Sequence, residues 1–440
     1  MLSRFLPPVN FRAEIEPLLG KAALLGRTGA PLDFAESAVL VGTIRMGYGH
    51  YRMARAAATW AVRAKKTFVH DPLSIDSPEA AIIKANERLY SAASRLSAAA
   101  GGPVESAWGA VTRSGGPLSQ SSSRMLARGL RRLMDGLPKE WPVVAAHPWN
   151  AHLASACGFA RIVNLVPDSY PQHFNFVPKT LNAAQNEESR QKLVALGAPA
   201  GETLALGHWV PAELVENAPA DCEARLARLR RKSPLRLLFS VGGAGAQGAY
   251  LEDLFARLAP RARRGRLRLI INAGDHARVA QNLERCLSAL DLKPLRLSGG
   301  RALDDFIAAH PLGGAEMDAP AVLVSASSPL EAVAATDELI RAADVLATKP
   351  SELAFFPAPK LHIRRVGDHE AASAVYSAAL GDGTPERREP AEAAAEVEGW
   401  LDDPAGLARM NESVKAAALR GVYSGAQKAV ALALGGTEER

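Results

Sequence analysis

The sequence predicts an α/β protein of two domains, each built on a parallel sheet. Three observations carry that prediction. Apolar runs of strand length alternate with helical runs along most of the chain. Several of those runs end in a glycine-rich or polar turn that leads at once into a helix, as a strand–loop–helix unit requires. And 440 residues exceed what one core of ordinary size supports. With 48% hydrophobic and 22% charged residues, the composition is that of a soluble globular chain.

In order along the chain, strands are expected at 38–44, 66–70, 143–147, 161–166 and 203–206 in the first half. The second half repeats the pattern at 235–241, 267–272, 321–324, 345–347 and 360–363. Residues 219–234 show no strand pattern, are rich in arginine and end in Lys232-Ser233-Pro234. They read as a linker between an N-terminal domain, 1–218, and a C-terminal domain, 235–395. The remaining stretch, 396–440, is helical and alanine-rich, expected to pack back on the first domain. Residues 82–96 have the apolar spacing of an amphipathic helix, and 99–123 are loose and polar. Those two stretches form either a lip over an acceptor site or an ordinary surface insertion.

Cys157, Cys222 and Cys286 lie far apart and match no metal or redox spacing. The first residues lack the apolar core of a signal peptide, and no apolar run reaches membrane-spanning length. A cytoplasmic protein is expected, free or peripheral on the inner face of the membrane. Net charge is +6. Basic clusters at 124–132, 225–236 and 261–268 are either solvated faces or a means of attracting nucleotide phosphates or an anionic membrane surface. No aromatic interleaving or nucleic-acid motif accompanies them, so nucleic acid is not an expected partner.

The most informative segment ends an apolar run in Gly47-Tyr48-Gly49-His50 and continues into an alanine-rich helix. Glycines allow the sharp turn, a helix N-terminus favours anions, and an imidazole titrates near neutrality. His50 is therefore a candidate general base, although Gly47 and Gly49 also suit a plain tight turn. Further strand ends carry His147 with Trp149, and Asp168 with His173. Ligands of open α/β sheets sit at such carboxyl ends. In the second half, Gly242, Gly243, Gly245 and Gly248 open a loop whose amides can meet a pyrophosphate. The last three also fit a dinucleotide pattern, with Asp275 beyond the next strand. Lys349, Ser351 and Glu352 follow another strand, and Asp368, His369 and Glu370 begin a later helix. Each of these motifs has a structural reading as a turn or a helix cap.

Taken in order, the motifs resemble those of the two-domain sugar-nucleotide glycosyltransferases, with two Rossmann-like domains facing across a cleft (the GT-B type). The nearest families by resemblance are the monogalactosyldiacylglycerol synthases and processive diacylglycerol glucosyltransferases, then the peptidoglycan N-acetylglucosaminyltransferases. It extends over roughly 39–381. The resemblance implies an inverting transferase in which His50 and Asp168 are catalytic. Gly47, Gly49, His147, Trp149 and His173 would lie on the acceptor side. The donor would meet Gly242, Gly243, Gly245, Lys349, Ser351, Glu352, Asp368, His369 and Glu370. A nucleotide-diphosphate sugar is the implied co-substrate, with no metal and no other cofactor, and a lipid or lipid-linked hydroxyl the implied acceptor. Departures are visible: Arg45-Met46 replaces a leading glycine pair, the turn after Lys349 is short, and Asp368 replaces a glutamine. Three rivals stay open: a nucleotide-sugar 2-epimerase of the same architecture, a non-catalytic nucleotide- or partner-binding protein, and a dinucleotide-dependent oxidoreductase.

Overall fold

The structure is a computed structural model describing residues 9–26, 28–34, 36–45, 47–75, 77–81, 83, 117–167, 169–241, 247–367 and 370–436. It is α/β and divides into two compact units, Met1–Ala212 with Ser424–Arg440, and Glu213–Tyr423. Each unit holds one sheet of Rossmann-like topology.

Among the described residues the first sheet has the order β3-β1-β2-β5-β4-β6-β7-β8-β9. Its strands are β1 (Arg12–Glu16), β2 (Ala22–Gly26), β3 (Ala30–Pro31), β4 (Val39–Gly42) and β5 (Thr67–His70). They continue with β6 (Val143–Ala145), β7 (Ile162–Leu165), β8 (Leu181–Ala184) and β9 (Thr203–Ala205). β1 runs antiparallel to β2 and β3, and every other pairing is parallel. The central strands are buried along their whole length, as a parallel sheet covered on both faces demands. Helix α1 (Gly49–Ala64) lies against β4 and β5 and buries Ala54, Ala56, Ala57, Ala58 and Ala61. Small side chains let its backbone approach the sheet closely. On the same sheet Phe68 stacks on Trp141, ring centroids 5.2 Å apart.

In the second unit the strands are β10 (Leu235–Ser240), β11 (Leu267–Asn272), β12 (Leu295–Ser298), β13 (Ala321–Ser325), β14 (Val345–Thr348) and β15 (Lys360–His362). They pair in the order β12-β13-β11-β10-β14-β15, all parallel. Each sheet has a strand with its successor on one side and a later strand on the other. β4 lies between β5 and β6, and β10 lies between β11 and β14. The carboxyl ends at such a reversal form the crevice in which open sheets bind ligands.

Two expectations are corrected here. Residues 219–230, expected as a linker, are the body of the helix Ala212–Arg230, which accommodates Pro219 within it. The basic run 225–236, expected to face solvent or an anionic partner, is divided: Arg230, Arg231 and Lys232 are exposed, but Arg225, Arg228 and Arg236 are turned inward. Arg225 donates to the carbonyls of Ala343 (2.9 Å) and Ile340 (2.8 Å). Arg228 pairs with Asp344 at 3.0 Å and Glu316 at 2.5 Å, and Asp344 also accepts the Arg236 backbone N–H at 2.8 Å. All three arginines are at most 1% exposed. They tie the amino ends of β10 and β14 together and are not available to a membrane. No helix among the described residues is long and apolar enough to cross one. The helices Pro390–Asp402 and Ala405–Leu419 belong to the second unit, and Gly425–Ala433 to the first.

Candidate functional site

At the reversal of the first sheet, β4 delivers the chain into a turn in which Gly47 adopts φ +78°, a conformation that glycine takes without strain. His50 follows in the first turn of α1. Its Nδ1–H donates to the carbonyl of Ala146, just past β6, at 2.7 Å. A carbonyl only accepts, so the neutral ring carries its proton on Nδ1 and takes a proton at Nε2. His147 begins the helix Pro148–Cys157, and its Nδ1 accepts the Trp149 backbone N–H at 3.1 Å. That bond places the proton of neutral His147 on Nε2. The two rings meet edge-on, centroids 4.3 Å apart. Burial, then the neighbouring His50 and His152, hold the His147 pKa well below the usual imidazole value.

Side chains from neighbouring elements brace this pair. Asn150 donates to the Thr43 carbonyl at 3.1 Å, and Gly42 leaves room for it. A Cβ at that glycine would stand 2.6 Å from the Asn150 Cβ. The Thr43 hydroxyl donates to the His50 carbonyl at 3.2 Å. After β5, Asp71 accepts the Tyr51 hydroxyl at 2.7 Å and the Leu73 backbone N–H at 2.9 Å. Beside the site lies a small apolar hollow of about 10 Å³, lined among others by Ile44, Pro72, Ile83, Trp149 and Leu153.

The second unit's reversal has a different character. Lys349, just past β14, pairs with Glu370, whose carboxylate also accepts the backbone N–H groups of Val366 (2.8 Å) and Gly367 (3.4 Å). Glu370 is 3% exposed. Ser351 is buried and Glu352 half-buried, at the start of the short helical turn Glu352–Phe355. Ser240, at the end of β10, meets the Thr336 hydroxyl at 3.3 Å, and Asn272 donates to the same hydroxyl at 2.9 Å. Gln247 donates to the Arg364 carbonyl and precedes the helix Gly248–Arg263.

The structure thus brings Gly47, Gly49, His50, His147 and Trp149 together in the first unit, and Lys349, Ser351, Glu352 and Glu370 into one region of the second. His173 starts a short turn, His173–Asn175, that packs against the helix Pro117–Leu130. Asp168, Gly242, Gly243, Gly245, Asp368 and His369 lie outside the described residues. Sequence reasoning missed Tyr51, Asp71 and Asn150. For Asp71 a signal existed, because it follows immediately on the expected strand 66–70.

Residues 198–434, more than half of the chain, match a domain of unknown function, DUF6938. The chain belongs to this family. A second domain of unknown function, DUF6937, matches residues 10–192 of the same chain. Among curated proteins none matches this DUF6938 member in sequence. Solved structures resemble it along almost their whole length. The UDP-GlcNAc 2-epimerase of Neisseria meningitidis, bound to UDP-GlcNAc, is 11% identical with a TM-score of 0.51. That alignment covers 90% of this chain and 100% of the epimerase. Staphylococcus aureus MnaA with UDP is 11% identical, with a TM-score of 0.49 and coverage of 92% and 98%. Anabaena HepE with UDP and glucose is 12% identical, with a TM-score of 0.46 and coverage of 91% and 100%. At such identities the likeness is one of fold, and the fold is that of the GT-B sugar-nucleotide enzymes. The lipid and peptidoglycan transferase families of the sequence resemblance are not among these structures.

Proposed function

We propose that this chain is a nucleotide-sugar enzyme of the 2-epimerase kind, in which His50 moves a proton at the sugar of a uridine-diphosphate donor. The observation that carries the reading is the imidazole pair of opposite tautomers at the end of β4. A base beside a hydrogen-bond donor suits inversion at a C–H carbon, where a proton leaves and is returned. His50 Nε2 takes the proton and, as the imidazolium, gives it back, while His147, kept neutral by burial, offers a hydrogen bond from its own Nε2. Support also comes from the end-to-end likeness to a structure described as a UDP-GlcNAc 2-epimerase. In this reading Lys349 meets the diphosphate, exchanging its contact with Glu370 for it, with Gly242, Gly243 and Gly245 as further donor contacts. Ser351, Glu352, Asp368, His369 and Glu370 complete the donor side, and Asp168 the sugar side.

One observation favours a second reading, glycosyl transfer. The apolar side chains of Ile44, Pro72 and Trp149, near the histidines in sequence, line a hollow of about 10 Å³ that would have to open to take an apolar acceptor, which an epimerase does not need. Calorimetry with UDP, UDP-GlcNAc and NAD, followed by proton NMR of the sugar in deuterated water, separates these. We expect UDP to bind and deuterium to enter at C2. Transfer to an added lipid hydroxyl without exchange at C2 selects the second reading. Absence of binding to every nucleotide overturns both, and preference for NAD replaces them with the oxidoreductase.

A further inference from the structure

The segment that carries His50 is gripped from below by one buried carboxylate. Asp71 is the first residue after β5 and is 2% exposed. Oδ2 accepts the Tyr51 hydroxyl at 2.7 Å, and Oδ1 accepts the Leu73 backbone N–H at 2.9 Å. The backbone N–H of Arg45 reaches the same carboxylate. Its bonds therefore fall just before the glycine turn, at Arg45, and just after the histidine, at Tyr51. A carboxylate that only capped the turn Pro72–Ser74 would need the Leu73 bond alone. Burying it costs free energy unless donors surround it, and burial pushes its pKa up. Tyr51 is buried as well, at 8% exposure, so its hydroxyl has been spent on this contact rather than left to solvent.

The rest of the segment is tied to the sheet by the bonds of His50 itself. Its ring donates to Ala146 and its carbonyl accepts from Thr43. Those bonds hold one ring orientation only while the backbone of 45–51 keeps its course. We propose that Asp71 is a positioning residue: by bonding Arg45 and Tyr51 together, its carboxylate presents the His50 ring in a single tautomer and orientation. This proposal rests on the reading of His50 as the proton-transfer group, but its first test does not depend on turnover.

That test is the long-range nitrogen–proton spectrum of the histidine-labelled full chain, with His50 assigned by the loss of its signals in His50→Gln. In the native protein we expect His50 to show the two well-separated nitrogen shifts of a fixed Nδ1–H tautomer. In Asp71→Asn an amide donor must face the Tyr51 hydroxyl or the Arg45 N–H, and the two shifts should move toward a common average. Tyr51→Phe, a milder change, should move them the same way by a smaller amount. Thermal melting establishes that each variant is folded at the temperature of measurement. If Asp71→Asn does not fold, Tyr51→Phe decides. Unchanged His50 shifts in the folded variants overturn the positioning role.

Turnover of UDP-GlcNAc is the second readout. Asp71→Asn should lower kcat about 10- to 100-fold with KM held within about twofold, the usual cost of a small misplacement of a reacting group. In a His50→Ala background the same change should cost nothing further. A full loss in that background also overturns the proposal, since Asp71 would then act otherwise than through His50. Native turnover in His50→Ala alone removes the proton-transfer reading and leaves the spectroscopic result standing on its own.

Discussion

The reversal points of the two sheets are furnished in opposite ways. The first unit places imidazoles there, His70 and His147 buried and His50 half-buried, and satisfies them with backbone groups. His50 donates to Ala146, His147 accepts from Trp149, and nearby His70 donates to the Leu133 carbonyl at 2.8 Å. The second unit places charges there and pairs them, Lys349 with Glu370. Deeper in that unit, Lys360 and Asp382, both wholly buried, lie 2.7 Å apart, with Tyr423 and Ser377 donating to the same carboxylate. A neutral imidazole survives burial by shifting its pKa, whereas a buried ion survives only with a partner. The same topology thus carries uncharged rings at one reversal and paired ions at the other.

The comparison breaks most sharply at His50. His50→Ala should lower turnover about 10²- to 10⁴-fold, the usual value of a general base, while the dissociation constant for UDP stays unchanged by calorimetry. A parallel loss of UDP binding would show that the first unit's histidine also holds the nucleotide. Next in size, Asp344→Ala strips Arg228 and the Arg236 amide of a buried acceptor. We expect about 3–5 kcal/mol of destabilisation, seen as lost hydrogen-exchange protection in 212–230 and 235–240. Equal loss in α1 and β4 would show that the two units unfold as one.

Acid should separate the units more gently. In the first, burial lowers His70 and His152 to about 4 and His147 well below its usual value; in the second, His362 falls to about 4. Unfolded histidines take protons near pH 6.5 and these folded ones do not. As pH falls from 6.5 toward 4, the unfolded state binds more protons and stability is lost. The slope is about 1.4 kcal/mol per pH unit for each histidine. The raised carboxyl of Asp71 works in the other direction, since its folded form takes a proton earlier than the unfolded one. Denaturation from pH 7 to 5, followed unit by unit through hydrogen exchange, should still find the first unit weakening faster. Equal slopes would contradict the contrast. Smallest of all, Lys349→Ala should weaken UDP binding roughly 10-fold, the worth of one charge-assisted hydrogen bond, without changing the His50 spectrum.

Much of this was legible in the sequence because the buried parallel strands are short apolar runs ending in turns. Each of the ten expected strands appears in the structure within a few residues of its expected ends. The strands that escaped were those whose residues do not look like strands. β8 reads Leu181-Asn182-Ala183-Ala184, and Asn182 earns its place by bonding Asn164 at 3.0 Å and the Val177 amide at 2.9 Å. β12 is largely exposed, and β1 and β2 pair only through the left-handed turn at Gly20 and Lys21. The inward arginines were misread for a related reason: a charge reads as exposed until its partner, here the distant Asp344, is known. Lys349 and Glu370 were both singled out, but sequence alone did not say that they hold each other. Asp71 was passed over because its role is set by Tyr51 and Arg45, which meet it only once the sheet has formed.

The helix Gly425–Ala433 lies against α1, β6 and β7, and Trp209 bridges to Ser424 where the chain re-enters the first unit. Gly425 is so close to the Gly207 backbone that a Cβ there would stand 2.2 Å from its carbonyl oxygen. On the ribosome, therefore, the half made first is the half finished last. Its sheet must wait, with one flank uncovered, until the whole of 213–423 has emerged and the final helix arrives to close it.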